Sequence, residues 1–208
     1  MSTSSGSPTT LPIWLRWAAL AWVLVWLPVY WRTWGGANFL HLCDLAVILT
    51  CIAIWTDSAL LISSQAISSP VVDALWALDA GWTFFSGHHL LGGTEYLFDP
   101  SHPLWIRLLT LFHVVLPVLL LWAIHRTGYD KRGFALQSAI ALFVLIASRF
   151  TSPSQNINFA FTDPFFHRAL GPPPVHIAVC WTVLVLVAYL PTHWLLKRFF
   201  PPAGTRVS

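Results

Sequence analysis

The sequence predicts an all-α protein, a polytopic membrane bundle of about six transmembrane helices, and three observations point there. Hydrophobic residues make up 56% of the chain and charged residues only 9%, against roughly 25% charged in a soluble domain. Six apolar stretches approach the ~20 residues that carry a helix across a bilayer. Most of the 13 tryptophans lie near the ends of those stretches, where amphipathic rings sit at headgroup level.

In chain order, residues 1–12 read as a disordered polar tail, 13–200 as a single six-helix domain, and 201–208 as a C-terminal tail. The opening MSTSSGSPTT lacks the basic stretch of a cleaved leader, and Arg16 interrupts the apolar run after it, so the first segment is expected to stay as a membrane helix. The spans fall at 13–31, 38–56, 59–85, 104–124, 134–150 and 175–197. The third is the most polar, with Ser63, Ser64, Gln65, Ser68, Ser69 and Pro70, then Asp73 and Asp79. Such a helix is tolerable in a membrane only if bent and turned toward other helices, because lipid satisfies no polar group. The fifth is short, and Pro191 should kink the last one near its end.

Orientation follows from basic residues near the helix ends. With the N-terminus cytoplasmic, that side collects Arg16, Arg126, Lys131, Arg132, Lys197, Arg198 and Arg206, and the far side keeps Arg32, Arg107, Arg149 and Arg168. This excess favours both termini on the cytoplasmic side of the membrane. The net charge of +3 is spread over 11 Lys and Arg that never form a run, so no nucleic-acid partner is expected. Cys43, Cys51 and Cys180 are an odd set inside apolar stretches, and Cys43 and Cys51 are about 12 Å apart along a helix, too far to bridge.

With that orientation His41, His88, His89, His102, His113, His167 and His176 gather on the outer side, and His125 and His193 on the inner one. Asn38, His41 and Asp44 recur every three residues, as do Asp73, Trp76 and Asp79, and Arg107, Thr110 and His113. Each set lines one helix face, the last running about 9 Å into the membrane. Arg149 closes the fifth helix at the same level. An ionisable group inside hydrocarbon costs at least ~2.5–3.5 kcal/mol and seeks a partner. Asp44 or Asp79 pairing with Arg107 or Arg149 would meet that need and hold the helices together. Alternatively, these groups line an outward polar cavity in which His41 and His113 act as acid, base or ligand.

Other chemistries fit less well. His88, His89, Glu95, Asp99 and His102 share one loop without a metal-ligand spacing, so no metal site is expected. Haem would need His113 with His41 or His176 at unequal depths. Lys131 and Lys197, the only lysines, lie outside the helix centres, which excludes a retinal Schiff base. No cofactor is expected. Cys43 is the one plausible nucleophile. Adjacent positions on a helix diverge by about 100°, so His41 does not face it and a base would come from another helix, such as His113. The long loop 151–163 and Pro172-Pro173-Pro174 could cap an outer cavity.

Several runs carry a family likeness. Asn38-Phe39-Leu40 with Asp44, Leu111-Phe112-His113 ahead of Pro117, Gly128-Tyr129-Asp130-Lys131-Arg132, Asn156-Ile157-Asn158 and Tyr189-Leu190-Pro191-Thr192-His193 resemble an uncharacterised family of bacterial multi-pass membrane-associated proteins. That likeness spans nearly the whole chain and implies no activity. His41-Leu42-Cys43 and His113 are fainter points of similarity to the YwaF-like integral membrane proteins. Some vertebrate relatives of that group are lipid acyltransferases using such a cysteine, so the resemblance implies acyl transfer at Cys43. Asp44 stands where that group has asparagine, and its preceding proline is missing.

Together these readings give a lipid-directed hydrolase or acyltransferase as the first expectation. His113 or His41 would be the base, Cys43 the nucleophile, and Asp44 the group orienting the histidine. Asn38, Asp79, Arg107 and Arg149 would bind substrate, Asn38 and Arg107 by holding developing negative charge. The alternative is a non-catalytic accessory or scaffold subunit, its partners the bilayer and other membrane-protein subunits, its polar groups consumed by ion pairs. A small transporter is the third reading, opposed by the lack of an inverted repeat.

Overall fold

The computed structural model describes residues 11–90 and 92–204. The disorder expected of the N-terminal tail therefore falls almost wholly outside the described residues, as do 205–208 of the C-terminal tail. Among the described residues the chain is all-helical, with a lone β-bridge between Tyr129 and Pro202. The long helices are α1 (Ile13–Trp34), α2 (Leu42–Trp55), α3 (Ala59–Ser86), α4 (Leu104–Thr127), α5 (Gly133–Ser148) and α6 (Pro173–Phe199). Three of them, α1, α4 and α6, are long and apolar enough to cross a membrane.

The distribution of polarity is the reverse of a water-soluble bundle. Trp14, Leu24, Trp31, Val115, Val118, Val187 and Leu195 are exposed, while Ser63, Ser64, Gln65, Ser68, Ser69 and Asp73 are buried. The buried set lies along α3, which packs against α2, α4, α5 and α6. Ser58 caps α3 by accepting from Leu61 N at 3.2 Å, and left-handed Gly87 ends it. Pro70 lies inside α3 without interrupting it. In the first half of α3, Gln65 Nε2 donates to Gln137 Oε1 on α5 at 3.2 Å and to Ser64 Oγ at 2.9 Å. Gln137 Nε2 in turn donates to Tyr189 on α6 at 3.4 Å, and Tyr189 meets Ser68 at 3.3 Å. Each amide and hydroxyl thus finds a partner inside the bundle, as burial requires.

Helix α6 carries a π-helical turn at Leu184–Tyr189, followed at once by Pro191. Proline lacks the N–H that would bond one turn back, and the widened turn absorbs the mismatch within a continuous helix. Tyr189, fully buried, ends that turn.

At the end bearing the described termini, Arg16 pairs with Asp57, Leu11 N donates to Asp57 Oδ1 at 3.1 Å, and Trp55 Nε1 donates to Arg16 O at 3.0 Å. Asp130 is held below the usual carboxylate range by hydrogen bonds from Arg132. Tyr129 N donates to Pro201 O at 2.8 Å and Ala203 N to Tyr129 O at 3.0 Å, so the first residues of the tail are tied down. A Cβ on Gly128 would fall 2.6 Å from Pro202 O, which excludes a side chain there.

The second helix starts later than its apolar pattern predicts. Gly35 (φ 82) stops α1, Gly36–Leu40 forms a 3-10 turn, and extended His41 (φ −60, ψ 132) caps α2, which begins at Leu42. Asn38, His41 and Asp44 are therefore not one helical face. Asn158, from the far loop, closes this break. Its side chain accepts from Leu42 N at 3.0 Å and donates to Leu40 O at 2.6 Å.

Helices α3 and α5 approach most closely at Gly133, where a Cβ would lie 2.9 Å from backbone and side-chain atoms of Ser63. Gly133→Val should therefore destabilise the bundle by about 1–3 kcal/mol. Gly81→Ala, which meets nothing within 4 Å, should not. Thermal unfolding in micelles checks the pair, and equal melting temperatures would contradict this packing.

Candidate functional site

Midway along α3, Asp73 meets His113 of α4, and two ionisable groups come together. His113 Nδ1 lies 2.7 Å from Asp73 Oδ1, with side-chain exposures of 5% and 1%. Ser69, one turn before Asp73, donates to the other carboxylate oxygen. Both Asp73 oxygens thus act as acceptors, which assigns the shared proton to His113 Nδ1 when the carboxylate is ionised. Nε2 is left with its lone pair and no hydrogen-bond partner among the described residues. Trp76, one turn beyond Asp73, stacks on the imidazole with centroids 4.5 Å apart and planes 18° from parallel. Its Nε1 donates to Tyr96 OH at 2.8 Å. Burial raises the Tyr96 phenol above its ordinary range, keeping it neutral.

Asn38 donates to Asp44 Oδ2 across the 3-10 turn, so these residues meet although they share no helix face. Among the described residues no hydrogen bond joins Cys43 or His41 to His113 or Asp73. The expectation that Asp44 orients the histidine is corrected: the carboxylate bonded to His113 is Asp73. An aspartate on the ring Nδ1–H fixes tautomer and orientation and makes Nε2 a general base.

The remaining expected site residues are engaged with loops. Asp79 accepts from Leu90 N at 2.8 Å, Gly92 N at 3.1 Å and Thr94 Oγ1, and pairs with His89 Nδ1 at 3.3 Å. Arg107 NH1 donates to Leu97 O at 2.9 Å. Arg149 NH1 donates to Ala160 O at 3.1 Å, its guanidinium 4.1 Å above the Phe161 ring. The ion pairs among the described residues are Arg16–Asp57, His89–Asp79, His113–Asp73 and Arg132–Asp130. The expected pairing of Asp44 or Asp79 with Arg107 or Arg149 is not among them, because each guanidinium satisfies a loop carbonyl instead.

His176 is likewise structural. Its Nδ1 accepts from Leu170 N at 3.0 Å and its Nε2 faces Phe159 O at 2.9 Å, which fixes a neutral ring bolting the 149–172 loop to α6. No three potential metal-ligating side chains come together among the described residues, and Cys43, Cys51 and Cys180 are free thiols.

Asp73, Ser69 and Tyr96 are the site members the sequence reading leaves out. Asp73 is the deepest carboxylate of the polar third segment, and Ser69 stands four residues before it, a helical neighbour; both were visible signals. Tyr96 belongs to a one-turn helix, Glu95–Phe98, within a loop, and nothing in its spacing indicates the site.

A double-mutant cycle with Asp73→Asn and His113→Gln, read by unfolding in micelles, should give a coupling energy of about 1–3 kcal/mol. The cycle pairing Asp44→Asn with His113→Gln should give much less. Coupling of equal size would make Asp44 the partner.

No protein-family model, curated protein or solved structure matches the chain.

Proposed function

We propose that the chain is a six-span protein of the bacterial inner membrane with both termini cytoplasmic, and that its outward-facing polar site acts on lipids as a hydrolase or acyltransferase. His113 Nε2 is the base, Asp73 orients it, and Cys43 is the nucleophile. The observation that carries this reading is the buried Asp73–His113 pair with its second ring nitrogen unoccupied.

Six spans are supported by the exposed apolar surface and by how the short helices end. Helix α2 has 14 residues and rises only about 21 Å, less than the ~30 Å hydrocarbon core. Its start is therefore expected within the membrane, where unpaired backbone groups are costly. Asn158 supplies partners to the backbone at that point. Lipid is the substrate class because the polar site lies inside a bundle whose outer faces are apolar. The acyl-transfer role of Cys43 follows the resemblance to YwaF-like proteins. The scaffold reading rested on acid–arginine pairs, and Arg107 and Arg149 bind loop carbonyls instead.

The test is acylation of the full chain in lipid nanodiscs by p-nitrophenyl decanoate, read by intact mass and nitrophenol release. Wild type should gain one decanoyl group, Cys43→Ala none, and His113→Ala should react about 10²–10⁴-fold more slowly. An adduct that persists in Cys43→Ala, or a wild type that never acylates, contradicts the proposal.

A further inference from the structure

The loop over 149–172, between α5 and α6, carries five of the 14 phenylalanines: Phe150, Phe159, Phe161, Phe165 and Phe166. Phe161 turns inward onto a small core of Leu145, Ala160 and Ile177. Phe165 and Phe166 turn outward, 74% and 66% exposed. Aromatic rings carry some of the largest hydrophobic gains of any side chain, and two adjacent ones left in water would forfeit them. Exposed apolar groups gathered in this way mark a surface that meets something.

The outward position of these rings is fixed by the loop itself. Asp163 is buried, and its carboxylate accepts from Phe165 N at 2.9 Å and Phe166 N at 2.7 Å. Its own N–H donates to Arg168 O at 3.1 Å, which closes a turn with Phe165, Phe166 and His167 at the tip. His167 is held at φ 53, a left-handed value that a residue with a Cβ adopts at a cost. Behind the tip, Asn156 Oδ1 accepts from Phe161 N at 2.9 Å and Thr162 N at 3.1 Å, and its Nδ2 donates to Thr162 O at 2.9 Å. The tip is thus ordered before it meets a partner, which lowers the entropy cost of binding.

Charge identifies that partner. The ionisable side chains of the loop are Arg149, Asp163, His167 and Arg168. Arg149 donates to Ala160 O, and Asp163 is enclosed by the N–H groups it accepts from. Arg168 is exposed, its guanidinium 5.7 Å over the Phe166 ring, and among the described residues it makes no ion pair. The outward surface therefore combines two aromatic rings with a cation that has no carboxylate to answer it. A guanidinium matches phosphate in charge and in fork geometry, and phenylalanine beside basic groups suits the boundary between headgroups and acyl chains. We infer that the tip over 165–168 docks on an anionic phospholipid at the membrane surface. Phe165 and Phe166 enter the acyl boundary, and Arg168 pairs with the headgroup phosphate. The inference rests on the membrane-spanning reading above, under which a loop joining two spans emerges at that depth, and is independent of acyl transfer.

Photo-crosslinking tests the contact. The full chain carrying Phe166→p-benzoylphenylalanine is placed in nanodiscs of equal parts phosphatidylcholine and phosphatidylglycerol, illuminated, and weighed intact. Lipid adducts should form, with phosphatidylglycerol about five-fold in excess, the equivalent of about 1 kcal/mol for one basic residue at an anionic surface. Adding Arg168→Gln should bring the two lipids to parity. Both substitutions fall on exposed side chains, so the fold should survive them. The same photoprobe at Val118, exposed on α4, should capture both lipids equally. No lipid adduct at position 166, an adduct with a second copy of the chain, equal capture of the two lipids before Arg168→Gln, or an excess that survives it overturns the inference. If Val118 also captures no lipid, the membrane-spanning reading falls with it, whereas capture at Val118 alone leaves that reading standing.

Discussion

Ser63, Ser64, Gln65, Ser68, Ser69 and Asp73 follow one another along α3, and in hydrocarbon each unmatched polar group costs several kcal/mol. That constraint places α3 at the axis of the bundle, walled by α2, α4, α5 and α6. It also determines which residues its neighbours present. Gln137 and Tyr189 answer Gln65 and Ser68, Gly133 admits the backbone at Ser63, and His113 answers Asp73. The candidate site belongs to the same polar seam and is not a separate addition to the fold.

The seam has two chemically distinct parts. The Gln65–Gln137–Tyr189–Ser68 group consists of neutral side chains that satisfy one another, and it specifies how three helices dock. The Ser69–Asp73–His113 group ends in a nitrogen with no partner. Mutual satisfaction is the mark of a structural network, and the open valence of His113 is what separates the second group from it. Asp79, Arg107, Arg149 and His176 are instead engaged with the loops that join the helices.

Much of the architecture was legible because apolar composition and span length dominate it. The positions read for the apolar segments coincide with the six long helices to within a few residues, and the central burial of the third follows from its polarity alone. The start of α2 was not legible, because Gly35 and Gly36 redirect the chain and the apolar pattern runs through them unbroken. Partner choice was the larger failure. Arginines and acids at matching depth invite pairing, but Arg107 and Arg149 can equally satisfy backbone carbonyls, and loop conformation decides between these. Asp73 and His113 are separated by 40 residues, and no local periodicity connects them. Asn158, one of two asparagines in a polar loop, gave no sign that it would close the gap before α2.

The account depends on the protonation pattern of one ring. Solution NMR of the full chain in micelles, with isotope-labelled histidine and His113 assigned by His113→Gln, reads that pattern directly. The account predicts a neutral His113 with its proton on Nδ1, a bare Nε2, and a marked change in the Nδ1 signal on Asp73→Asn. A proton on Nε2, or a His113 spectrum indifferent to Asp73→Asn, would contradict it.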